Sequence, residues 1–340
     1  MRCNAQGTPG KPWKPVSAGG RGTSAAGFTG KERIYMTLQN PYRGDGDSGF
    51  TWLRGNLHAH TMLSDGALPP EAVIAAYEAR GYDFLAISDH DRFVPPAAYQ
   101  ARTGMTLIPA DEVTAGGPHV LAVQVGEVVA PDPDRQKVID ATLAQQGFAV
   151  LNHPNWQAHY DHFPQELMAR LDGYAGIEIY NGVVERLEGS ALATDCWDRL
   201  LTAGRRVWGF AHDDFHRPED LARGWIVVQA SGRGATEICD AIRHGRFYAS
   251  TGVEIARIEV DGPSLFVAAL NAGRIRFLGA GGRELAYADA PEARYRVTGD
   301  EGGYVRAECH GDGTHYAVPT PDCSCLWGSQ NEHWPGCRNR

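Results

Sequence analysis

A chain of 340 residues holds one large domain or two smaller ones, since a single core stops growing at roughly 250–300 residues, and a small disulfide-stapled scaffold is excluded. Hydrophobic residues at 43%, charged residues at 21%, 41 Gly and 20 Pro are the composition of a chain most of which folds. The formal charge of −9 leaves no basic stripe for counterion-release binding, so nucleic acid is disfavoured as a partner and a small-molecule substrate is expected.

Residues 1–35 are rich in Gly, Lys, Ser, Thr and Pro without periodicity and are expected to be a disordered N-terminal extension. They lack the apolar run of a secretory signal, and no window reaches the roughly 18 apolar residues of a membrane span. No membrane partner and a cytoplasmic location are therefore expected. From about 50 to 252, apolar runs of strand length alternate with amphipathic stretches. Strands are predicted at Gly55–His58, Phe84–Ser88, Thr106–Ala110, His119–Val123, Phe148–Asn152, Gly176–Tyr180, Val207–Ala211 and Trp225–Gln229. Helices are predicted at Pro70–Arg80, with Pro in its first turn, at Arg135–Gln146 ending on Gly147, at Ala191–Ala203 ending on Gly204, and at Ala235–His244.

That alternation predicts parallel βα units in an α/β domain. Between 253 and 317, alternating segments such as ARIEVDG and GRIRFLG, separated by Gly and Asp, predict a small antiparallel β appendage. Residues 318–340 have no period and are expected to be a disordered tail. Of the seven cysteines, Cys196 and Cys239 lie in helical patterns as buried free thiols, while the C-x-C and lone cysteine near the end have poor zinc-finger spacing.

Nine of the thirteen histidines lie between 58 and 216, most of them at or just past the end of a predicted strand. The strand ends read His58-Ala59-His60, Ser88-Asp89-His90-Asp91, Asp111-Glu112, Asn152-His153-Pro154 and His212-Asp213-Asp214-Phe215-His216. In a parallel α/β barrel these ends form one rim, so groups distant in sequence converge. Imidazoles and carboxylates together suit zinc, manganese or iron, and His-x-His on a strand turns both rings to one face. By the same alternation, a strand continuing through Ala211 puts Asp214 and His216 on the face of His212 and turns Asp213 away. Arg217, just beyond this run, and Asn181, at the end of IEIYNG, are the substrate-binding candidates. Arg92 and Arg186 read as solvated charges, and His159 and His162 as surface residues with a general-acid role as the alternative.

The segment His58-Ala59-His60-Thr61-Met62-Leu63-Ser64-Asp65-Gly66, the dyad Asp89-His90, Glu112 followed by His119, Asn152-His153-Pro154 and Asp214-Phe215-His216 resemble, in order, the motifs of the polymerase-and-histidinol-phosphatase (PHP) family. The resemblance spans about 50–250, and the segment 245–252 with the β appendage is similar to the bacterial stand-alone members. It implies a distorted (β/α)7 TIM-like barrel that holds two to three divalent metal ions and hydrolyses phosphoesters. A repeat region of about 200 residues agrees, being short for a full eightfold barrel of roughly 250.

On the same resemblance, His58, His60, Glu112 and Asp214 hold one ion, Glu112 bridges to a second held by His119 and His153, and Asp65, His90 and His216 hold a third. Glu112, Asp65 and His216 are then the catalytic residues. A hydroxide between two ions about 3.5–4 Å apart is a competent nucleophile at neutral pH, and no serine or cysteine nucleophile is required. The expected function is a metal-dependent phosphoesterase acting on a small phosphorylated molecule. The alternatives are hydrolysis of an amide, carbamate or carboxylic ester by the same centre, and a non-catalytic metal-binding accessory protein.

Overall fold

The computed structural model describes residues 38, 40–42 and 49–319; the segment expected as an N-terminal extension lies outside them. In chain order the first part comprises β1 (Thr51–Asn56), α1 (Pro70–Glu78), β2 (Phe84–Ile87), β3 (Thr106–Val113), β4 (Val120–Val123), α2 (Arg135–Ala144), β5 (Phe148–Leu151), α3 (Gln165–Arg170), β6 (Gly176–Asn181), α4 (Thr194–Thr202), β7 (Trp208–His212), β8 (Trp225–Ala230), α5 (Ala235–Arg243) and β9 (Phe247–Ser250). The rest is β10 (Ile255–Asp261), β11 (Ser264–Ala269), β12 (Arg274–Gly279), β13 (Arg283–Ala288), β14 (Glu292–Arg296), β15 (Arg306–His310) and β16 (Tyr316–Pro319). No helix among the described residues is long and apolar enough to cross a membrane.

One large mixed sheet runs in the order β13-β12-β15-β16-β9-β8-β1-β2-β3-β4-β5-β6-β7. Strands β2, β4 and β5 are each four consecutive buried residues, the pattern of strands covered on both faces. Pairing is parallel for β1–β2–β3 and for β5–β6–β7. The expectation of parallel units throughout is corrected at two places: β4 is antiparallel to both of its neighbours, and β8 is antiparallel to β1. For β4 the cause is in the chain itself. Six residues, Thr114-Ala115-Gly116-Gly117-Pro118-His119, separate β3 from β4, whereas a parallel crossover needs a dozen or more.

The sheet curls until its far side meets β1. Ala59, just past β1, forms a parallel bridge with Phe215, just past β7, and the His60 amide donates to the Phe215 carbonyl at 2.8 Å. Inside, Phe210 of β7 packs on Phe247 of β9 with ring centroids 4.8 Å apart. Helix α5 closes the floor, because its flanks reach the N-terminal ends of several strands. The Arg233 carbonyl accepts from the Thr106 hydroxyl, the Arg243 carbonyl from the Trp208 indole, and the Arg243 guanidinium donates to the Gln146 carbonyl.

Gly147 was expected to cap α2, but the left-handed residue there is Gln146 (φ 62°). Gly147 is needed for a different reason: a Cβ at that position would lie 2.6 Å from the Val123 carbonyl oxygen.

The C-terminal strands are antiparallel, as expected, but most of them continue the main sheet. Strands β12, β13, β15 and β16 join it where Ala317 pairs with Ser250, and only β10, β11 and β14 form a separate three-stranded sheet. Val318 and Pro319, assigned to the tail by sequence, pair with Ala249 and Tyr248; the remaining tail residues lie outside the described part. Cys196, Cys239 and Cys309 are buried free thiols.

A buried ionic network ties this region to α4. Arg306 donates to both carboxylate oxygens of Asp198 at 2.8 and 2.7 Å and to Glu308 at 2.6 Å, while the Tyr304 hydroxyl donates to Asp198 at 2.6 Å.

Candidate metal centre

The ends of the inner strands deliver their polar residues to one place. His58 and His60 follow β1, His90 follows β2, Glu112 lies near the end of β3, His153 follows β5, and Asp214 and His216 follow β7. His119 reaches the same rim from the opposite direction, since it immediately precedes the reversed strand β4. Asp65 comes from the loop after β1. That loop is organised by Asp89, which accepts from the Thr61 amide and hydroxyl and from the Ser64 hydroxyl at 2.8, 2.7 and 2.6 Å. It then turns so tightly at Gly66 that a Cβ there would lie 2.6 Å from the His60 carbonyl oxygen.

Glu112 is fully buried at the centre. Its Oε1 lies 3.2 Å from His58 Nε2 and 3.3 Å from both His119 Nδ1 and His153 Nε2. Its Oε2 lies 2.8 Å from His90 Nδ1 and 3.4 Å from His60 Nε2. Asp214 Oδ1 lies 3.0 Å from His60 Nε2, 3.2 Å from His58 Nε2 and 3.5 Å from His216 Nδ1. Asp65 Oδ1 lies 3.4 Å from His90 Nε2 and 3.3 Å from His216 Nε2. All nine residues singled out as ligands therefore meet in one cluster.

The donor atoms fit metal ions on a direct observation. His58 Nε2, His60 Nε2, His90 Nδ1, His119 Nδ1, Glu112 Oε2 and Asp214 Oδ1 are buried and lack hydrogen-bond partners. Each such group costs about 1–3 kcal/mol when nothing satisfies it, so six facing one space call for cations. Electrostatics agrees. Burial works against ionisation of Glu112 and Asp214, but the adjacent imidazoles, His58 foremost, outweigh it and hold both carboxyls well below the usual range. Burial pushes His60 down to about 4, which leaves a neutral ring able to ligate.

Other expectations change. Asn181 is 1% exposed, and its amide donates to Glu178 Oε2 at 2.8 Å and to Asp214 Oδ2 at 3.1 Å. His162 is buried, not on the surface. Its ring lies 4.5 Å from that of His119 and 4.7 Å from those of His153 and Trp156, and its Nε2 accepts from the His119 amide at 3.1 Å. Arg217 is exposed directly beside His216, His159 is exposed, Arg186 is paired with Asp220 at 2.7 Å, and Arg92 donates to the Leu63 carbonyl at 2.6 Å.

Strand β7 ends at His212, and Asp214 takes a left-handed φ of 52°, yet Asp214 and His216 face the cluster while Asp213 does not. Asp213 accepts from the Tyr77 hydroxyl and from the amides of Ala222, Arg223 and Gly224 at 2.7–2.9 Å, so it fastens α1 to the loop before β8. Asp213→Asn is expected to retain its metal but to lower Tm by several degrees, from about 1–3 kcal/mol of lost charged hydrogen bonding at roughly 2–4 °C per kcal/mol. Calorimetry and elemental analysis check this; lost metal at unchanged Tm would put Asp213 among the ligands.

Sequence reasoning gave no role to two buried groups around the cluster. Asn152 donates to Glu112 Oε1 at 2.7 Å. Glu178 lies 2.7 Å from His58 Nδ1 and 2.9 Å from His212 Nδ1. The signal for Glu178 was a single acid inside the apolar run GIEIYN of a wholly buried strand.

Fold and donor cluster together are those of an α/β protein whose strand ends gather residues able to hold metal ions. No family model and no curated protein matches the sequence. A two-domain protein from Bacteroides vulgatus, containing a predicted PHP-like metal-dependent phosphoesterase, aligns with a TM-score of 0.51 at 17% identity, over 86% of this chain and 100% of that one. An amidohydrolase from Chromobacterium violaceum aligns at 0.37 and 18% identity over 49% of this chain and 89% of its own. The lesion-specific endonuclease EndoQ from Pyrococcus furiosus aligns at 0.40 and 12% identity over 57% and 56%. The fold is that of the PHP-like proteins, as the motifs anticipated.

Proposed function

We propose that this protein is a metal-dependent hydrolase whose substrate is a small phosphate ester. The observation that carries the reading is the Glu112-centred space, into which buried imidazole and carboxylate atoms without partners converge. His58, His60, Glu112 and Asp214 would hold one divalent ion, Glu112, His119 and His153 a second, and Asp65, His90 and His216 a third, with zinc, manganese or iron as the metals. Bound there, the ions supply Lewis-acid charge and lower the pKa of water, for a phosphoryl group as for a carbonyl.

The chain's own residues set the direction of approach. The side chains of His58, His60 and Glu112 are fully buried, those of His119 and His216 are each 18% exposed, and those of His90 and Asp65 are the most open at 25% and 54%. Substrate therefore enters on the Asp65 side, where the exposed Arg217 supplies a guanidinium matched to phosphate oxygens. Glu112 stays sealed beneath as the common carboxylate. The net charge of −9 favours a small substrate over a polynucleotide.

The test combines elemental analysis of protein purified without chelator with turnover of phosphomonoesters, phosphodiesters, aryl esters and carbamates on the same sample. Two to three metal equivalents and phosphoester turnover are expected. Less than one equivalent after remetallation with zinc, manganese and iron overturns the multi-metal reading, and ester or carbamate turnover alone overturns the substrate class. Within the panel, Arg217→Ala is expected to raise KM roughly tenfold or more with kcat little changed, the signature of lost substrate binding.

A further inference from the structure

We infer that Glu178 is a positioning residue that prepares two imidazoles for two different ions at once: it fixes the proton of His58 on Nδ1 and holds the strained backbone of His153. The inference rests on the metal-centre reading above. Glu178 is 1% exposed and lies on β6, behind the cluster as seen from Asp65. Its Oε1 faces His58 Nδ1 at 2.7 Å and His212 Nδ1 at 2.9 Å, and its Oε2 accepts from the His153 amide and the Asn181 side chain, each at 2.8 Å.

An ionised carboxylate has about four acceptor positions; the His153 amide and the Asn181 side chain use two of them, and the other two face His58 Nδ1 and His212 Nδ1. With both rings donating, Glu178 has no lone pair left to ligate a metal. An imidazole that ligates a metal is neutral and carries one N–H. With that hydrogen on Nδ1 and donated to Glu178, His58 Nε2 is a bare lone pair, and Nε2 is the atom that faces Glu112 and Asp214 without a hydrogen-bond partner. A carboxylate behind an imidazole is the arrangement that fixes tautomer and ring orientation at metal sites.

His153 depends on the same side chain through its backbone. Its φ of 30° is uncommon for a residue with a Cβ, and the amide bond to Glu178 Oε2 holds that conformation, which brings Nε2 to within 3.3 Å of Glu112. Asn181 extends the tie by donating to both Glu178 and Asp214. The third group, Asp65, His90 and His216, has no contact with Glu178 among the bonds described, so its donors are independent of it.

The decisive experiment uses full-length protein with ¹⁵N-labelled histidine. In the metal-free protein, long-range ¹H–¹⁵N correlation is expected to show His58 and His212 protonated at Nδ1. In Glu178→Gln, whose amide accepts at one atom only, at least one of the two rings should invert or lose its slowly exchanging N–H. Titration with zinc against a chelator is then expected to show two of the bound ions weakened by about 10–100-fold and any third unchanged.

A His58 ring without a proton on Nδ1 in the wild type overturns the inference whatever the metal result, and so does zinc affinity of Glu178→Gln within threefold of wild type. Loss of one whole equivalent with both tautomers unchanged overturns it too, by making Glu178 a ligand. If the wild type binds no metal, the metal-centre reading fails while the proton position still decides for or against the Glu178 assignment. Should Glu178→Gln not fold, the wild-type tautomers alone decide, since they need no variant.

Discussion

Replacing Glu112 with alanine is expected to remove two metal equivalents and to lower kcat by about three orders of magnitude or more, beyond the roughly 10–100-fold that follows loss of a residue behind the ligands. It is the carboxylate that touches the histidines of both proposed ions: Oε1 faces His58 of the first and His119 and His153 of the second, and Oε2 faces His60 of the first together with His90. Asp214, by contrast, lies close to His58, His60 and His216 and approaches the histidines of the second proposed ion only at 3.8 Å from His153. Asp214→Asn should therefore cost one equivalent where Glu112→Ala costs two. Elemental analysis beside kcat checks the division; equal metal loss in the two variants would refute Glu112 as the shared ligand.

The second large effect concerns stability. Arg306→Met is expected to destabilise the protein by about 3–5 kcal/mol, because it leaves buried carboxylates without their partner. At roughly 2–4 °C per kcal/mol for a chain of this size, Tm should fall by about 10 °C. Arg306 is 1% exposed and is the group that joins Asp198 of α4 to Glu308 of β15. Asp198→Asn combined with Arg306→Met should recover part of the loss, since the stranded charge is then gone. The network also predicts acid lability. Burial opposes ionisation of Glu308, but His310 and Arg306 outweigh it and hold the carboxyl at about 2. A depressed carboxyl contributes stability that is present above its unfolded pKa of roughly 4.3 and is lost as pH falls toward 2. Thermal scans between pH 6 and 3 should show that slope in the wild type and a flatter one in Arg306→Met; identical slopes would exclude the network as its source.

How much of this was legible in the sequence depended on whether the signal was local. Pro70 opens α1, and Gly204 and Gly245 take left-handed φ values of 81° and 71° just past α4 and α5, so these helices were found within a few residues. Strands made of continuous apolar residues were found for the same reason. Direction was not local: the alternation of strand and helix suggested parallel units everywhere, and only the six-residue spacing before β4 contradicted it. The residues of the donor cluster were legible because candidate metal donors belong to few residue types and recur at strand ends. The groups behind them were not. Glu178, Asn152 and Asn181 act through hydrogen bonds to residues 3–120 positions away, and nothing in their immediate neighbours marks that.

The bridge between Ala59 and Phe215 gives the donor cluster a mechanical meaning. His58 and His60 flank Ala59 on one lip of that join, and Asp214 and His216 flank Phe215 on the other. An ion held by His58, His60 and Asp214, as proposed, would be a buckle across the place where the curled sheet closes. Loading the site and fastening that join would then be one thermodynamic event.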